Sequence, residues 1–250
     1  MCKKSWLNLI LPVVSVLALI ALWAVASLAV DSEFILPSVS QTLNSLFSVM
    51  GKGAFWVALF NTLLRSLIAF IISFIIAFIL AVISYKSTML DGVISPLISI
   101  MRALPTIAVV LLLLFWTNSL VAPVIVTMLV VLPTSYTSVK SALLGVDKTV
   151  CEAARVDGAD ERAVFTNIEL PLISPSILSA VGSGFSLNFK LMVAAEVIAQ
   201  TAKSIGYMLN TAKVYFETAQ MLAIVCVAVL IGLIVESVFN LLSRKFGEWK

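Results

Sequence analysis

The residues able to do chemistry are concentrated in one stretch of this 250-residue sequence. Ten charged side chains fall between Lys140 and Pro171. The chain has no histidine, which excludes a catalytic triad built on His. Its three cysteines, Cys2, Cys151 and Cys226, are too far apart to indicate a zinc site or a disulfide framework. These residue types argue against a metal centre or a His-based active site, and they leave a surface for a partner as one interpretation of this stretch.

The stretch from residue 143 to 171 is here named the charged loop. It contains residues that typically begin and end two short helices. Asp147 is a good N-cap for a helix ending near Val156, and Gly158 suits the left-handed position after it. Asp160 is a good cap for a second helix to about Asn167. Pro171 is expected in the first turn of the next helix, where its missing N–H costs nothing.

One face of the first short helix carries small residues. Ala153 and Ala154 would let another surface approach closely, and Glu152 beside them offers a charge. A plain solvated loop with helical turns accounts for the same residues equally well. Local physics therefore leaves both interpretations of the charged loop open.

The elements that position this loop are membrane helices. Apolar residues make up 61% of the chain and charged residues 12%, against about 25% charged in soluble domains. A bilayer core about 30 Å thick requires about 20 helical residues, and the long uninterrupted apolar runs favour helices over a barrel. We predict an all-α protein with about six transmembrane helices. The apolar runs are 7–30, 66–85, 103–139 divided in two at Thr117–Ser119 and preceded by the extension 94–101, 170–189 and 218–235.

Basic residues near the ends of these runs predict the orientation. With the N-terminus and C-terminus in the cytoplasm, the inner segments hold ten Lys or Arg residues and the outer segments three, in agreement with the positive-inside rule. The charged loop then lies in the cytoplasm, between spans four and five. The basic residues do not cluster as in a nucleic-acid-binding protein, so no nucleic-acid partner is expected.

The spacing within the charged loop resembles a known signature. Glu152-Ala153-Ala154, three residues, Gly158, nine residues, Ile168, one residue and Leu170-Pro171 are similar to the EAA signature of ABC-importer permeases. Weaker similarity to the nitrate/sulfonate/taurine branch lies in the following segments: Leu36-Pro37-Ser38, Asn61 to Ser66, Arg102 to Pro105, Val193 to Glu196, and Ser204-Ile205-Gly206. Phe189, where the branch commonly has Trp, departs from the pattern.

The resemblance implies a single permease domain, residues 1–250, with its core at 58–242 and the type I importer fold. It implies that Glu152, Ala153, Ala154, Gly158, Ile168, Leu170 and Pro171 couple the chain to a cytoplasmic ATPase. The other implied partners are a second permease copy or paralogue, an extracytoplasmic substrate-binding protein and the bilayer of a bacterial plasma membrane. The chain has no phosphate-binding loop, so ATP and Mg²⁺ are expected on the ATPase, and this chain is expected to be no enzyme and to bind no cofactor or metal.

Four charged residues lie closest to the predicted apolar core, and such charges are costly and often functional. They are Arg65, Arg102, Lys190 and Glu196. A cationic path would suit a small oxyanion such as a sulfonate, taurine or nitrate. The alternative is that the basic side chains reach the interface or pair structurally.

Other substrates and another class of protein stay open at this point. Permeases similar to this branch also serve thiamine precursors or riboflavin. A stand-alone secondary transporter or channel would require more buried charge and internal repeats, neither of which is evident in the sequence.

Overall fold

A computed structural model describes residues 3–247, and this part of the chain is helical without any strand. The predicted all-α class is therefore confirmed. The helices are α1 (Lys3–Val30), α2 (Val39–Met50), α3 (Gly53–Lys86), α4 (Thr88–Ala103), α5 (Thr106–Trp116), α6 (Ala122–Leu144), α7 (Lys148–Val156), α8 (Glu161–Val164), α9 (Leu170–Ala199), α10 (Ile205–Val214) and α11 (Thr218–Gly247), with a π-helical segment, Phe165–Glu169, between α8 and α9.

Four helices of the described part are long and apolar enough to cross a membrane. They are α3, α6, α11 and the continuous helix from Glu161 to Ala199. A fifth span forms if α4 and α5 are taken together, and α1 contributes an apolar segment, Val14–Val30. The count of six spans and the cytoplasmic position of the two chain ends stay predictions.

The third span is sharply bent. The axes of α4 and α5 differ by 92°, so residues 94–101 are not the straight extension of the span that the sequence suggests. Pro105 causes the break, because a residue before proline is pushed out of the helical region. Leu104 accordingly has an extended backbone, with φ −66° and ψ 128°. The predicted division of the long apolar run at Thr117–Ser119 is confirmed, since α5 ends at Trp116 and α6 begins at Ala122.

Two spans extend well past the uncharged runs. Helix α3 begins at Gly53 rather than at Ser66, and α9 continues to Ala199 rather than ending at Phe189. Arg65, Lys190 and Glu196 therefore lie inside helices, not at their ends as the apolar runs suggested. Arg65 and Glu196 form an ion pair, which allows both charges to lie within the helices.

The core forms where α3, α6, α9 and α11 pack together. Ala69, Ala77 and Ala81 of α3 are fully buried, and small residues at such positions let membrane helices approach closely. Phe55, Phe70, Phe185 and Phe189 fill the spaces between the helices. Gly182 marks the tightest contact of α9 with α11, because an added Cβ would lie 2.5 Å from Phe239 Cβ.

Candidate functional site

The first half of the charged loop folds as its capping residues predict. Asp147 Oδ1 accepts a hydrogen bond from the Thr149 N–H at 2.9 Å and begins α7. The same hydrogen bond lowers the pKa of Asp147, because it stabilises the carboxylate. Helix α7 ends at Val156, and Gly158 follows with φ +90°, a conformation that side chains other than glycine rarely adopt.

The second half of the loop departs from prediction. Asp160 does cap a helix, since its Oδ1 accepts from the Ala163 N–H at 2.7 Å. That helix does not stop near Asn167 but runs through the π-helical segment into α9. Pro171 lacks the N–H that a continuous α-helix would use, and the wider turn just before it is the kind of local adjustment that accommodates such a gap. The second helix of the charged loop and the next span therefore form one continuous helix.

The residues of the EAA signature lie mostly on the accessible side of the loop. Glu152, Ala153, Gly158 and Pro171 are exposed, and Ala154, Ile168 and Leu170 are half-buried. Val156 extends the apolar part of this surface and is 87% exposed. Val156 and Ala153 thus leave a small apolar surface open to solvent on this side of α7.

The opposite side of α7 is fixed to the membrane helices through Glu169, which is buried. Its Oε1 accepts a hydrogen bond from the Tyr85 hydroxyl at 3.0 Å and a weaker one from Cys151 Sγ at 3.8 Å. Burial and the Glu169 carboxylate raise the pKa of the Cys151 thiol. Lys86 Nζ lies 4.3 Å above the Phe165 ring. These contacts tie α7 and the start of α9 to the end of α3.

Glu169 was missed by sequence reasoning, which treated it as the variable position between Ile168 and Leu170. A charged residue flanked by apolar residues at the start of a span was the available signal, because such a residue requires a buried partner.

Two of the four charged residues predicted near the membrane core form a buried pair. Arg65 Nε donates to Glu196 Oε1 at 2.9 Å, while Arg65 Nη2 lies 2.8 Å from the same oxygen without hydrogen-bond geometry. The Glu196 side chain is fully buried and that of Arg65 is 16% exposed. Desolvation of both groups makes this pair a matched unit, in which either charge alone would be costly.

The pair also holds the start of α10. Thr62, Arg65, Glu196 and Gly206 are here named the Glu196 cluster. Thr62 Oγ1 donates to Glu196 Oε2 at 2.9 Å and accepts from the Ile205 N–H at 3.0 Å. The Gly206 N–H points at Glu196 Oε2 from 3.4 Å. Three segments singled out in the sequence for their resemblance, 61–66, 193–196 and 204–206, therefore meet at one place.

The other two predicted charges are not brought into this cluster. Arg102, at the end of α4, is exposed and donates to Thr137 Oγ1 of α6. Lys190 is exposed on α9, and its Cε lies near Gly232 of α11. A further ion pair that sequence reasoning did not find joins Lys140 to Asp91, with Ser95 as an additional acceptor. Within residues 3–247 no group of acidic, cysteine or histidine side chains is arranged to hold a metal ion.

Known proteins of similar sequence are transport permeases. The chain is 25% identical over 233 residues to the taurine transport system permease protein TauC of Escherichia coli, an alignment that covers 91% of this chain and 84% of that protein. It is 26% identical to the riboflavin transport system permease protein RibX of Chloroflexus aurantiacus, with 99% and 92% covered. It is 23% identical to the putative aliphatic sulfonates transport permease protein SsuC of Bacillus subtilis, with 99% and 89% covered.

Solved structures show the same fold. A chain of the MetNI methionine ABC transporter in an inward-facing form superimposes with a TM-score of 0.69, at 17% identity, over 77% of this chain and 97% of that chain. A chain of a bacterial ABC transporter that imports alginate gives a TM-score of 0.66, at 14% identity, over 97% and 96%.

Residues 73–248, well over half of the chain, match the family described as "binding-protein-dependent transport system inner membrane component". This match confirms both the predicted family and the predicted location in the inner membrane. The chain therefore belongs to this family, the permeases of ABC importers.

Proposed function

We propose that this permease forms the path for a small organic or inorganic anion and is driven by a cytoplasmic ATPase that docks on the charged loop. The observation that carries the proposal is the two-sided character of α7. Its buried Cys151 contacts Glu169, which Tyr85 of α3 holds, while Ala153 on its other side and Gly158 just after it are exposed. A partner that moves α7 would move α3 and α9 with it.

The remaining parts of the importer are supplied by other chains. ATP and Mg²⁺ belong on the ATPase, and one docking loop per permease requires two permease copies or two paralogues. The inward-facing MetNI structure and the alginate importer, solved with a bound periplasmic protein, support an assembly with an ATPase below and a substrate-binding protein above. Ile168, Leu170 and Pro171 would connect the docked helix to α9.

Gly158→Arg tests the docking surface. The added side chain meets nothing of this chain within 4 Å, but the φ of +90° strains any residue with a Cβ, and a long cation would block a close partner. We expect loss of ATPase binding, or ATP hydrolysis without uptake, in proteoliposomes containing the complete complex. Gly53→Arg, at another unobstructed glycine on the far side of α3, is the control and should retain both activities. Coupled uptake by the Gly158 variant would contradict the proposal.

Similarity to the taurine and aliphatic sulfonate permeases supports a sulfonate-like anion as the substrate. The riboflavin permease relative keeps a second candidate, a vitamin or vitamin precursor. Ligand binding by the purified substrate-binding partner, measured with taurine, nitrate and riboflavin in parallel, discriminates between them. Uptake by this chain alone, without ATP, would instead identify a secondary transporter or channel.

A further inference from the structure

Helix α6 carries a line of hydroxyl side chains on a face that the rest of the chain leaves open. Thr134, Ser138 and Ser141 are exposed, and Thr137 is half-buried beside them. Together with Arg102 these residues line an open-sided cavity of about 480 Å³, named here the Arg102 cavity.

The Arg102 cavity lies along α6, a helix that is long and apolar enough to cross a membrane. With a rise of 1.5 Å per residue, its hydroxyls fall between about 18 and 28 Å from the start of α6 at Ala122, along a helix of about 34 Å. It also adjoins the break between α4 and α5. A hydroxyl-lined face with an arginine is costly against lipid tails, so it faces either water or another protein surface.

The charge of the cavity is positive and uncompensated. Among residues 3–247, no carboxylate lies within salt-bridge distance of Arg102, whose guanidinium instead donates to Thr137 Oγ1. The lining of the cavity includes no acidic residue. Two other basic residues of the middle helices do have a counter-charge, since Arg65 pairs with Glu196 and Lys140 pairs with Asp91.

The hydroxyls can be redirected toward a ligand. Thr134 and Ser138 donate to the carbonyls of Val130 and Thr134, at 3.2 and 3.1 Å. A carbonyl in a helix interior has an N–H partner as well, so a hydroxyl that rotates away leaves it satisfied. Each hydroxyl would then donate to an anion held by the guanidinium, in the charge-assisted geometry that Arg gives to oxyanions.

We propose that the Arg102 cavity is the site at which the permease itself holds a small oxyanion during passage, with Arg102 as the binding charge and Thr137, Thr134 and Ser138 as hydrogen-bonding partners. The inference rests on the proposed function and deepens it, because it names one site and one ligand class among four candidate charges. Arg65 and Glu196 are then structural, since each neutralises the other.

A second copy of this chain could neutralise Arg102 by bringing a carboxylate to the cavity. Asp91, Glu161 and Glu196 are already paired and Glu169 is held by Tyr85, which leaves Glu236 among the acidic residues of the described spans. The variant Glu236→Gln therefore distinguishes two occupants of the cavity. One is the Glu236 carboxylate of a second copy, and the other is a diffusible anion.

The test is charge-selective labelling at Ser138→Cys in the full permease–ATPase complex, with Cys2, Cys151 and Cys226 changed to Ala. Anionic sulfonatoethyl and cationic trimethylammonioethyl methanethiosulfonate are compared, and each rate is divided by that for free 2-mercaptoethanol. We expect the anionic reagent to be favoured about tenfold, in line with local concentration of an opposite charge. Ethanesulfonate in excess should slow it, and Arg102→Gln should abolish the preference.

Three outcomes would overturn the proposal: an unreactive cysteine, equal rates for both reagents whether or not Arg102 is present, or a preference that changes with Glu236→Gln. Ser183→Cys on the exposed face of α9 is the matched control, and its labelling should ignore Arg102. Labelling requires neither ATP nor uptake. The labelling rates therefore test the anion site even if the proposed coupling to an ATPase proves wrong.

Discussion

The carboxylate of Glu196 connects α9 to α3 and to the beginning of α10. Its partners both precede and follow it in the sequence. Replacing Arg65 with Leu would leave that carboxylate buried without a counter-charge. Removal of one partner from a buried pair costs about 3 kcal/mol or more. We expect a lower melting temperature of the purified complex in detergent for Arg65→Leu.

The double variant Arg65→Leu/Glu196→Leu should recover a large part of that loss, because no buried charge remains. Lys190→Leu, which removes an exposed cation of α9, is the control. Equal melting temperatures for the Arg65 single variant and the parent protein would contradict a structural pair.

Gly206 leaves no room for a side chain. An added Cβ would lie 2.4 Å from Glu196 Cβ and 2.6 Å from the Val197 nitrogen, and backbone atoms cannot move aside cheaply. Gly206→Ala should therefore destabilise the fold by about 3 kcal/mol, the upper range for overpacking. Thermal unfolding with Gly92→Ala as the unobstructed control would measure it, and a fully stable Gly206 variant would show that α10 docks elsewhere.

Sequence reasoning found the residues of the Glu196 cluster but did not predict that they lie together. Spans were drawn as uncharged runs, so Arg65 and Glu196 each appeared to lie at or beyond a helix end. The rule fails where two charges neutralise each other, because the paired unit is tolerated within a helix. No spacing in the sequence reveals a contact between residues 131 positions apart.

At the scale of elements, the charged loop shows which features local sequence determines. The caps at Asp147 and Asp160 and the left-handed Gly158 were predicted, because each depends on neighbours within a few residues. The continuity of α8 with α9 was not, because it depends on a π-helical segment and on the contact of Glu169 with Tyr85. The break at Pro105 could have been predicted from proline chemistry alone.

The packing of α7 predicts how fast its cysteine, Cys151, is alkylated. Burial and the nearby Glu169 carboxylate raise the pKa of Cys151, so the thiol stays protonated at neutral pH and alkylation, which requires the thiolate, is slow. With Cys2 and Cys226 changed to Ala, iodoacetamide should react more slowly with the folded than with the SDS-unfolded protein at pH 8, because less thiolate is present in the folded protein.

Glu169→Gln removes the negative charge, lowers the pKa of Cys151 and should accelerate this reaction. Tyr85→Phe removes only the hydrogen bond and serves as the control. Equal acceleration by both variants would mean that α7 had simply come loose from α3.

For the whole molecule, the arrangement of the spans predicts which loops face each side of the membrane. Alkaline phosphatase, active only outside the cytoplasm, should be active when fused after Lys203 and inactive when fused after Gly158, because α9 separates the two positions. Basic residues gave this orientation through the positive-inside rule. Activity at Gly158 would invert the topology and remove the charged loop from reach of any cytoplasmic ATPase.

The Arg65–Glu196 pair also sets a waiting time during synthesis. The two residues are 131 positions apart, and a ribosome adds about 5 to 20 residues per second. Arg65 therefore enters the membrane roughly 10 s before its counter-charge exists. Throughout that interval a cation in the first half of α3 must be stabilised by other means, through water, lipid headgroups or an insertion factor. Slowing translation between the two codons should thus lengthen exposure of the nascent chain to membrane quality-control proteases.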